Sequence, residues 1–381
     1  MINILYALNG VFHKGGTEAV VLNYYNNIDK EKFHIDFLVH GYENENFHNE
    51  THNYLKSKGS RIFYVTPRGK NFLKNKKEIK KVLKNNHFHI VHSHMDAAGS
   101  FFLKEAKKAA IKVRIAHSHN TENQINKGNV LKDKAYSIIL NNARKSITNY
   151  GNVFLSCSKE AGDWLFGNKP YKVINNGIDI SKYVYSESIR KEYREQLGIS
   201  DKIVIGHVGR FCYQKNQELL INMFNELNKK NDKYFLIMIG EGETKEEIEL
   251  KINDLGLNNK ILIMNSETKI NEVIQAFDIF VLPSRFEGLG IVAIEAQAAD
   301  LTCLISDNVP NEVKITERIK FIPLTDSPEV WVREIINIEN FYERKDKNNE
   351  IKLAGYDVKD VIKRVEKIYI EMLKKMDETV E

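Results

Sequence analysis

The feature that most constrains this chain is a repeated alternation between short apolar runs and stretches of helical period. A first series of apolar runs occupies Ile2–Leu8, Phe33–Leu38, Ile62–Val65, Ile90–His92, Val113–His117 and Val153–Ser156. A second occupies Lys172–Asn175, Ile203–Gly209, Phe235–Ile239, Ile261–Met264, Ile279–Leu282 and Thr302–Ser306. Helical patterns such as Thr17–Asn26 and Glu218–Lys230 fill most of the gaps. Strands that alternate with helices build parallel sheets covered on both faces. The chain is therefore expected to be α/β, with Rossmann-like parallel sheets.

At 381 residues the chain exceeds one ordinary core and suits two domains, and its 42% hydrophobic content can fill both. The break is expected near residues 176–200, where Asn176-Gly177 closes one strand series and a charged helix, Ser186–Leu197, precedes the strand at Ile203. This divides the chain into residues 1–180 and 181–356. The helical segment Asp357–Met376 has no strand after it and is suited to packing on either domain; we group residues 357–381 with the first.

Met1–Leu8 carries no basic leader or small-residue cleavage site and reads as a strand, and no apolar run approaches the roughly 18 residues of a membrane span. Cys157, Cys212 and Cys303 show neither metal spacing nor a disulfide framework, which fits a reduced cytosol. The net charge of +5 is uneven. Residues 1–175 hold 27 Lys and Arg against 14 Asp and Glu, a net of +13, while the remainder carries −8. A basic first half favours an anionic membrane surface or a phosphorylated acceptor. A nucleic-acid partner is not expected, because the basic residues are not interleaved with aromatics in a recognisable module.

Two segments carry chemistry. In Leu282-Pro283-Ser284-Arg285-Phe286-Glu287-Gly288-Leu289-Gly290-Ile291, an apolar strand runs into a glycine loop and then a helix. Ligands of open α/β sheets bind at such carboxyl ends, where glycine admits a phosphate and a helix start offers free N–H groups. Glu287 lies in the loop, suited to sugar hydroxyls or simply to water. Glu295 lies about one turn inside an otherwise apolar helix, where a carboxylate needs a partner such as a ribose diol or an ion pair. In the second segment, Ile205-Gly206-His207-Val208-Gly209-Arg210 leads to Lys215-Asn216. Two cations after a strand end suit the charge of a departing diphosphate, and surface ion pairing is the alternative.

Together with Gly15-Gly16-Thr17-Glu18, Val173-Ile174-Asn175-Asn176-Gly177-Ile178-Asp179 and Gly240-Glu241-Gly242, these segments resemble glycosyltransferase family 4, in particular its capsular and exopolysaccharide enzymes. The resemblance runs from residue 15 to 295. It implies the GT-B fold, with two Rossmann-like domains facing each other across a cleft. It also implies a cytoplasmic, retaining hexosyltransferase that needs no cofactor, working on a nucleoside diphosphate sugar (UDP-sugars being commonest) and a glycan or polyprenyl-linked acceptor. By the same resemblance, Arg210 and Lys215 hold the donor diphosphate, and Glu287, Gly288 and Leu289 contact the sugar and its phosphate. Glu295 holds the ribose, and Gly16 passes close to the phosphates or the acceptor.

The family also places a histidine beside the reacting centre after the fifth strand. Val113–Asn120 aligns His119 with it and leaves His117 as the close alternative. His92 and His94 are candidates for acceptor positioning or for bonding to backbone at a strand end. Two departures stand out: Asp300-Leu301-Thr302 replaces a Gly-Leu-Pro turn, and Asn216 replaces a glycine, a position where Asn also tolerates positive φ. No Asp-x-Asp triplet occurs, so no metal is expected on the diphosphate. A GT-B-fold epimerase and a non-catalytic sugar-nucleotide-binding subunit are the rival readings.

Lys70, Lys74, Lys76, Lys77, Lys80, Lys81 and Lys84 share a helical segment with Phe72, Leu73, Ile79, Val82 and Leu83. Its apolar face is expected to pack inward. The basic face either meets water or lies on anionic lipid at the inner face of the plasma membrane.

Overall fold

The computed structural model describes residues 1–10, 16–43, 49–121, 130–265, 268–338 and 343–378. Gly15, from the first glycine motif, lies outside them. The chain divides into two compact units, Met1–Gly177 with Val358–Glu381, and Ile178–Asp357. The first boundary thus falls three residues before the expected one.

The first unit is built on a seven-stranded sheet of β1 (Ile2–Leu8), β2 (Phe33–His40), β3 (Ile62–Val65), β4 (Ile90–His94), β5 (Val113–Ser118), β6 (Val153–Ser156) and β7 (Lys172–Val173). Its order is β3-β2-β1-β4-β5-β6-β7, and every pairing is parallel. The central strands are buried on both faces because helices cover both, and they read as apolar runs up to the polar residues at the carboxyl ends of β4 and β5. On one side Leu5, Ala7, Leu38, Val91 and Ala116 pack with Phe102, Leu103 and Ile79. The C-terminal helix, Val358–Glu378, joins this unit, burying Val358, Val361, Ile362, Val365, Ile368 and Tyr369 along one stripe. Its Glu366 accepts from the Asp29 backbone N–H at 2.7 Å.

The second unit carries β8 (Ile203–Val208), β9 (Tyr234–Ile239), β10 (Ile261–Met264), β11 (Ile279–Leu282), β12 (Thr302–Ser306) and β13 (Ile319–Ile322), in the order β10-β9-β8-β11-β12-β13, again all parallel. The strand β13 was not among the expected ones: Ile319-Lys320-Phe321-Ile322 is a short edge strand with Lys320 exposed, too brief to show a period. The charged helix Glu187–Gln196 straps this unit. Arg190 and Arg194 both reach the Asp278 carboxylate, and Asp278 accepts from the Val204 N–H at the start of β8.

In each sheet the strand order reverses beside the first strand, between β1 and β4 and between β8 and β11. Such a switch point leaves a crevice at the carboxyl ends, because the loops on its two sides leave in opposite directions.

The lysine-rich helix spans Phe72–Asn85 and is capped by Asn71, whose Oδ1 accepts from the Lys74 N–H at 3.0 Å. Asn75, Ile79 and Leu83 are buried one turn apart. The expected apolar face is corrected at its start: Phe72 and Leu73 are 46% and 76% exposed. Phe72 still meets Phe101 edge to face at 5.6 Å between ring centroids, whereas Leu73 faces water. Lys76, Lys80 and Lys108 converge on the buried Glu105 at 3.4–4.0 Å. Among the described residues, no helix is long and apolar enough to cross a membrane.

Candidate active site

At the switch point of the second sheet, the loops after β8 and β11 are stitched together. Lys215 Nζ lies 2.5 Å from Glu287 Oε1. Glu287 also accepts from Ser284 Oγ at 2.7 Å and from Gln214 Nε2 at 3.3 Å, so its burial is compensated. The Arg285 N–H donates to the Gln214 carbonyl at 2.7 Å, and Asn216 Nδ2 donates to the Pro283 carbonyl at 3.1 Å. Asn216 sits in the left-handed region (φ 56°, ψ 43°) at the start of the helix Gln217–Lys230. Thus the residue that replaces glycine keeps glycine's backbone and adds a bond. An ammonium has three donors, and Glu287 takes one, so Lys215 retains capacity for a second oxyanion.

Arg210 is not brought onto this pair. Its guanidinium meets Glu243 at 3.0 Å, with the two side chains 56% and 37% exposed. The Gly240-Glu241-Gly242 motif buttresses the Arg210 loop: the Phe211 N–H donates to the Glu241 carbonyl and the Thr244 N–H to the Phe211 carbonyl. Gly240, at φ 153°, passes so near that a Cβ would stand 2.1 Å from the Gly209 oxygen.

Gly288 and Leu289 are buried in the β11 loop, and Gly290, in the left-handed region, begins the helix Ile291–Ala298 without a side-chain cap. Glu295 is buried on that helix and accepts from the Tyr183 hydroxyl at 2.7 Å. Burial pushes its carboxyl up to about 7, while the Tyr183 bond and the charge of Lys215 hold it down in part. Asp300, in the altered turn, pairs with Arg318 at 2.9 Å and accepts from the Lys345 N–H. It anchors the turn in place of the family's Gly-Leu-Pro.

At the switch point of the first sheet, the side chains alternate so that His92 and His94 on β4 stand beside His117 on β5 and His119 just after it. His92 Nε2 and His117 Nδ1 are 3.1 Å apart, and His94 Nδ1 and His119 Nε2 are 2.9 Å apart. Rings two residues apart on each strand stack at 4.0 and 4.3 Å between centroids. Burial drives all four imidazoles down from their ordinary range, His119 to about 3, so they are neutral. His92 Nδ1 also meets the Tyr369 hydroxyl at 2.7 Å. Among the described residues His92, His94 and His117 are the one group with metal-ligand proximity, their ligand atoms within 4.8 Å. Both nitrogens of His92 are already engaged, which suits a hydrogen-bonded array better than a shared ion. Asp96, in the loop after β4, accepts from the His119 N–H at 2.7 Å and from Asn120 Nδ2 at 2.8 Å, and burial raises it to about 6. Gly16 is the exposed first residue of the helix Gly16–Asn27, which follows β1 at the same switch point.

Sequence patterns alone did not mark Tyr183, Ser284, Gln214, Glu243, Asp96 or Tyr369. Tyr183 and Tyr369 reach their partners across 112 and 277 residues. Ser284, three residues before Glu287, was within reach of a loop-spacing argument.

Two Rossmann-like units, each with polar residues gathered at its switch point, define the architecture of the GT-B glycosyltransferases. Comparison with known proteins agrees. The family described as Glycosyltransferase Family 4 matches residues 14–182, and Glycosyl transferases group 1 matches residues 189–355. EpsF of Bacillus subtilis, provisionally designated a glycosyltransferase, is 31% identical over 87% of this chain and 86% of its own. The capsular polysaccharide biosynthesis glycosyltransferase CapH of Staphylococcus aureus is 23% identical over 74% and 78%. Among solved structures, Anabaena HepE in complex with UDP superposes with a TM-score of 0.71 at 17% identity, covering 97% of this chain and 100% of that one. The protein belongs to glycosyltransferase family 4 and is a glycosyltransferase.

Proposed function

We propose that the chain moves a hexosyl group from a nucleoside diphosphate sugar, UDP-linked, to a glycan or polyprenyl-linked saccharide in the building of a cell-surface polysaccharide. The observation that carries this reading is the Lys215–Glu287 pair at the β8/β11 switch point, with Arg210 on the same loop and an uncapped helix start beside it. The UDP in the HepE structure and the capsular role in the name of CapH support the donor and the pathway class.

On this reading Lys215 and Arg210 take the diphosphate. Arg210 exchanges an exposed ion pair, worth at most about 1 kcal/mol, for a doubly charged partner that its planar fork fits. Lys215 stays on Glu287 and extends its remaining donors to phosphate oxygens, so charge building on the leaving group meets a cation already in place. Glu287, oriented by Ser284 and Lys215, receives sugar hydroxyls, and Gly288 and Leu289 line the sugar phosphate. Glu295 receives the ribose diol. In the first unit His119 or His117 serves as the donor to a saccharide oxygen, with His94 and His92 hydrogen-bonded to them.

The configuration is retained by departure and attack on one face, and the cation pair serves in place of a divalent ion. The enzyme works in the cytoplasm. The exposed Phe72 and Leu73, beside the lysines of Lys70–Lys84, give it a peripheral hold on the anionic inner leaflet. Thermal unfolding with a panel of UDP- and GDP-sugars tests the donor reading. A UDP-sugar should raise Tm in proportion to the logarithm of its concentration. If no nucleotide sugar does so, the proposal fails.

A further inference from the structure

The four histidines at the end of β4 and β5 do not stand alone. The Tyr6 and Tyr369 hydroxyls are 2.8 Å apart, Tyr369 then meets His92 Nδ1, and His92 Nε2 meets His117 Nδ1. All four side chains are essentially sealed from solvent, at 0–1% exposure. A neutral imidazole donates once and accepts once, so protons along such a chain must all point the same way.

In one direction His117 donates to His92, His92 to Tyr369 and Tyr369 to Tyr6. The Tyr6 proton is then left without an acceptor among the described residues, and the lone pair on His117 Nε2 without a donor. In the other direction Tyr6 donates to Tyr369, Tyr369 to His92 Nδ1, and His92 Nε2–H to His117 Nδ1. Only the His117 Nε2–H then lacks a partner. Each direction leaves one buried donor unmade, at about 1–3 kcal/mol, but the first also leaves the His117 Nε2 lone pair unfilled, so the second direction, with fewer unmet groups, is favoured before any ligand arrives. His117 Nε2, where this run of bonds ends near the carboxyl end of β5, is itself buried and has no partner among the described residues.

We infer that Tyr369 is a positioning residue: from the C-terminal helix it sets the tautomer of His92, and through it holds His117 as the Nε2–H form, a fixed donor to a saccharide oxygen. The helix that returns from the second unit therefore completes the site in the first. This rests on the reading of the chain as a transferase only for the identity of the oxygen; the tautomer order holds without it.

Selective 15N-histidine labelling and long-range 1H–15N spectra of the ligand-free protein read the tautomers directly. His92 and His117 should both be Nε2–H, and Tyr369→Phe should convert His117 to a mixture. A wild-type His117 in the Nδ1–H form overturns the inference, as does a stoichiometric metal ion on these histidines by elemental analysis. The wild-type spectrum decides even if Tyr369→Phe fails to fold. Once a donor is found, Tyr369→Phe should lower kcat about tenfold, the scale of one lost hydrogen bond, with KM little changed. His117→Gln, which keeps an N–H near the Nε2 position, should retain more activity than His117→Ala. Adding Tyr369→Phe to His117→Gln should cost nothing further, because the relay has no tautomer left to set. If the two losses multiply, Tyr369 acts structurally and the inference fails. Correct tautomers with no turnover of any nucleotide sugar would count against the transferase reading alone.

Discussion

The Tyr183 hydroxyl donates to Glu295 across 2.7 Å, joining the segment that opens the second unit to the helix behind its β11 loop. Burial raises the Glu295 carboxyl to about 7. Folded protein therefore keeps this proton over a pH range where unfolded chain has lost it, and the associated stability is full below about 4.5 and lost as pH rises through about 7. Glu295→Gln removes that dependence. Its Tm relative to wild type should climb between pH 5 and pH 8; a difference flat with pH would contradict the assignment.

Nucleotide affinity should follow the same group with the opposite sense. A ribose diol donates best to the ionised carboxylate, so wild-type UDP binding should tighten as pH rises from 6 to 8. In Glu295→Gln it should be weaker and flat. Calorimetric Kd values across that range provide the check.

Removing one side of the Lys215–Glu287 pair leaves a buried carboxylate without its cation. Lys215→Met should destabilise by up to about 3 kcal/mol in urea titration, since uncompensated buried charge is costly. Adding Glu287→Gln should recover much of that stability without recovering nucleotide binding. Recovery of both would mean that the pair holds the loop and nothing else.

Arg210 gives the converse. Its partner Glu243 is exposed, so Arg210→Ala should change stability by less than about 1 kcal/mol. A diphosphate should nevertheless be bound more weakly by about 1.5–3 kcal/mol, the worth of a charged hydrogen bond.

Asn216 offers a test of backbone rather than charge. Asn216→Ala should destabilise by about 2 kcal/mol, combining a left-handed β-carbon with loss of the bond to Pro283. Asn216→Gly should lose only the bond. Equal destabilisation by the two variants would show that the left-handed geometry is unimportant.

These sites differ in how far the sequence could reveal them. Strands such as β1, β6 and β11 have the expected limits because they are mostly buried on both faces and their apolar runs stop where the loops begin. The short edge strand β13 has no such run. Lys215 and Glu287 stood out because each follows a strand end, and Asn216 because Asn is one of the few side chains that substitute readily for a left-handed glycine. Their mutual contact, 72 residues apart, depends on β8 lying next to β11, which pattern alone does not order. The Tyr369–His92 bond was still less accessible, because it requires the chain to return from one unit to the other.

The central claim is that cations after β8 take up a nucleoside diphosphate without a metal. Isothermal titration of UDP into the full chain in excess EDTA tests it most directly. The account predicts saturable one-to-one binding, unchanged by EDTA and at least about tenfold weaker in both Arg210→Ala and Lys215→Met. Binding that appears only with Mg²⁺ or Mn²⁺, or that neither substitution weakens, would contradict it.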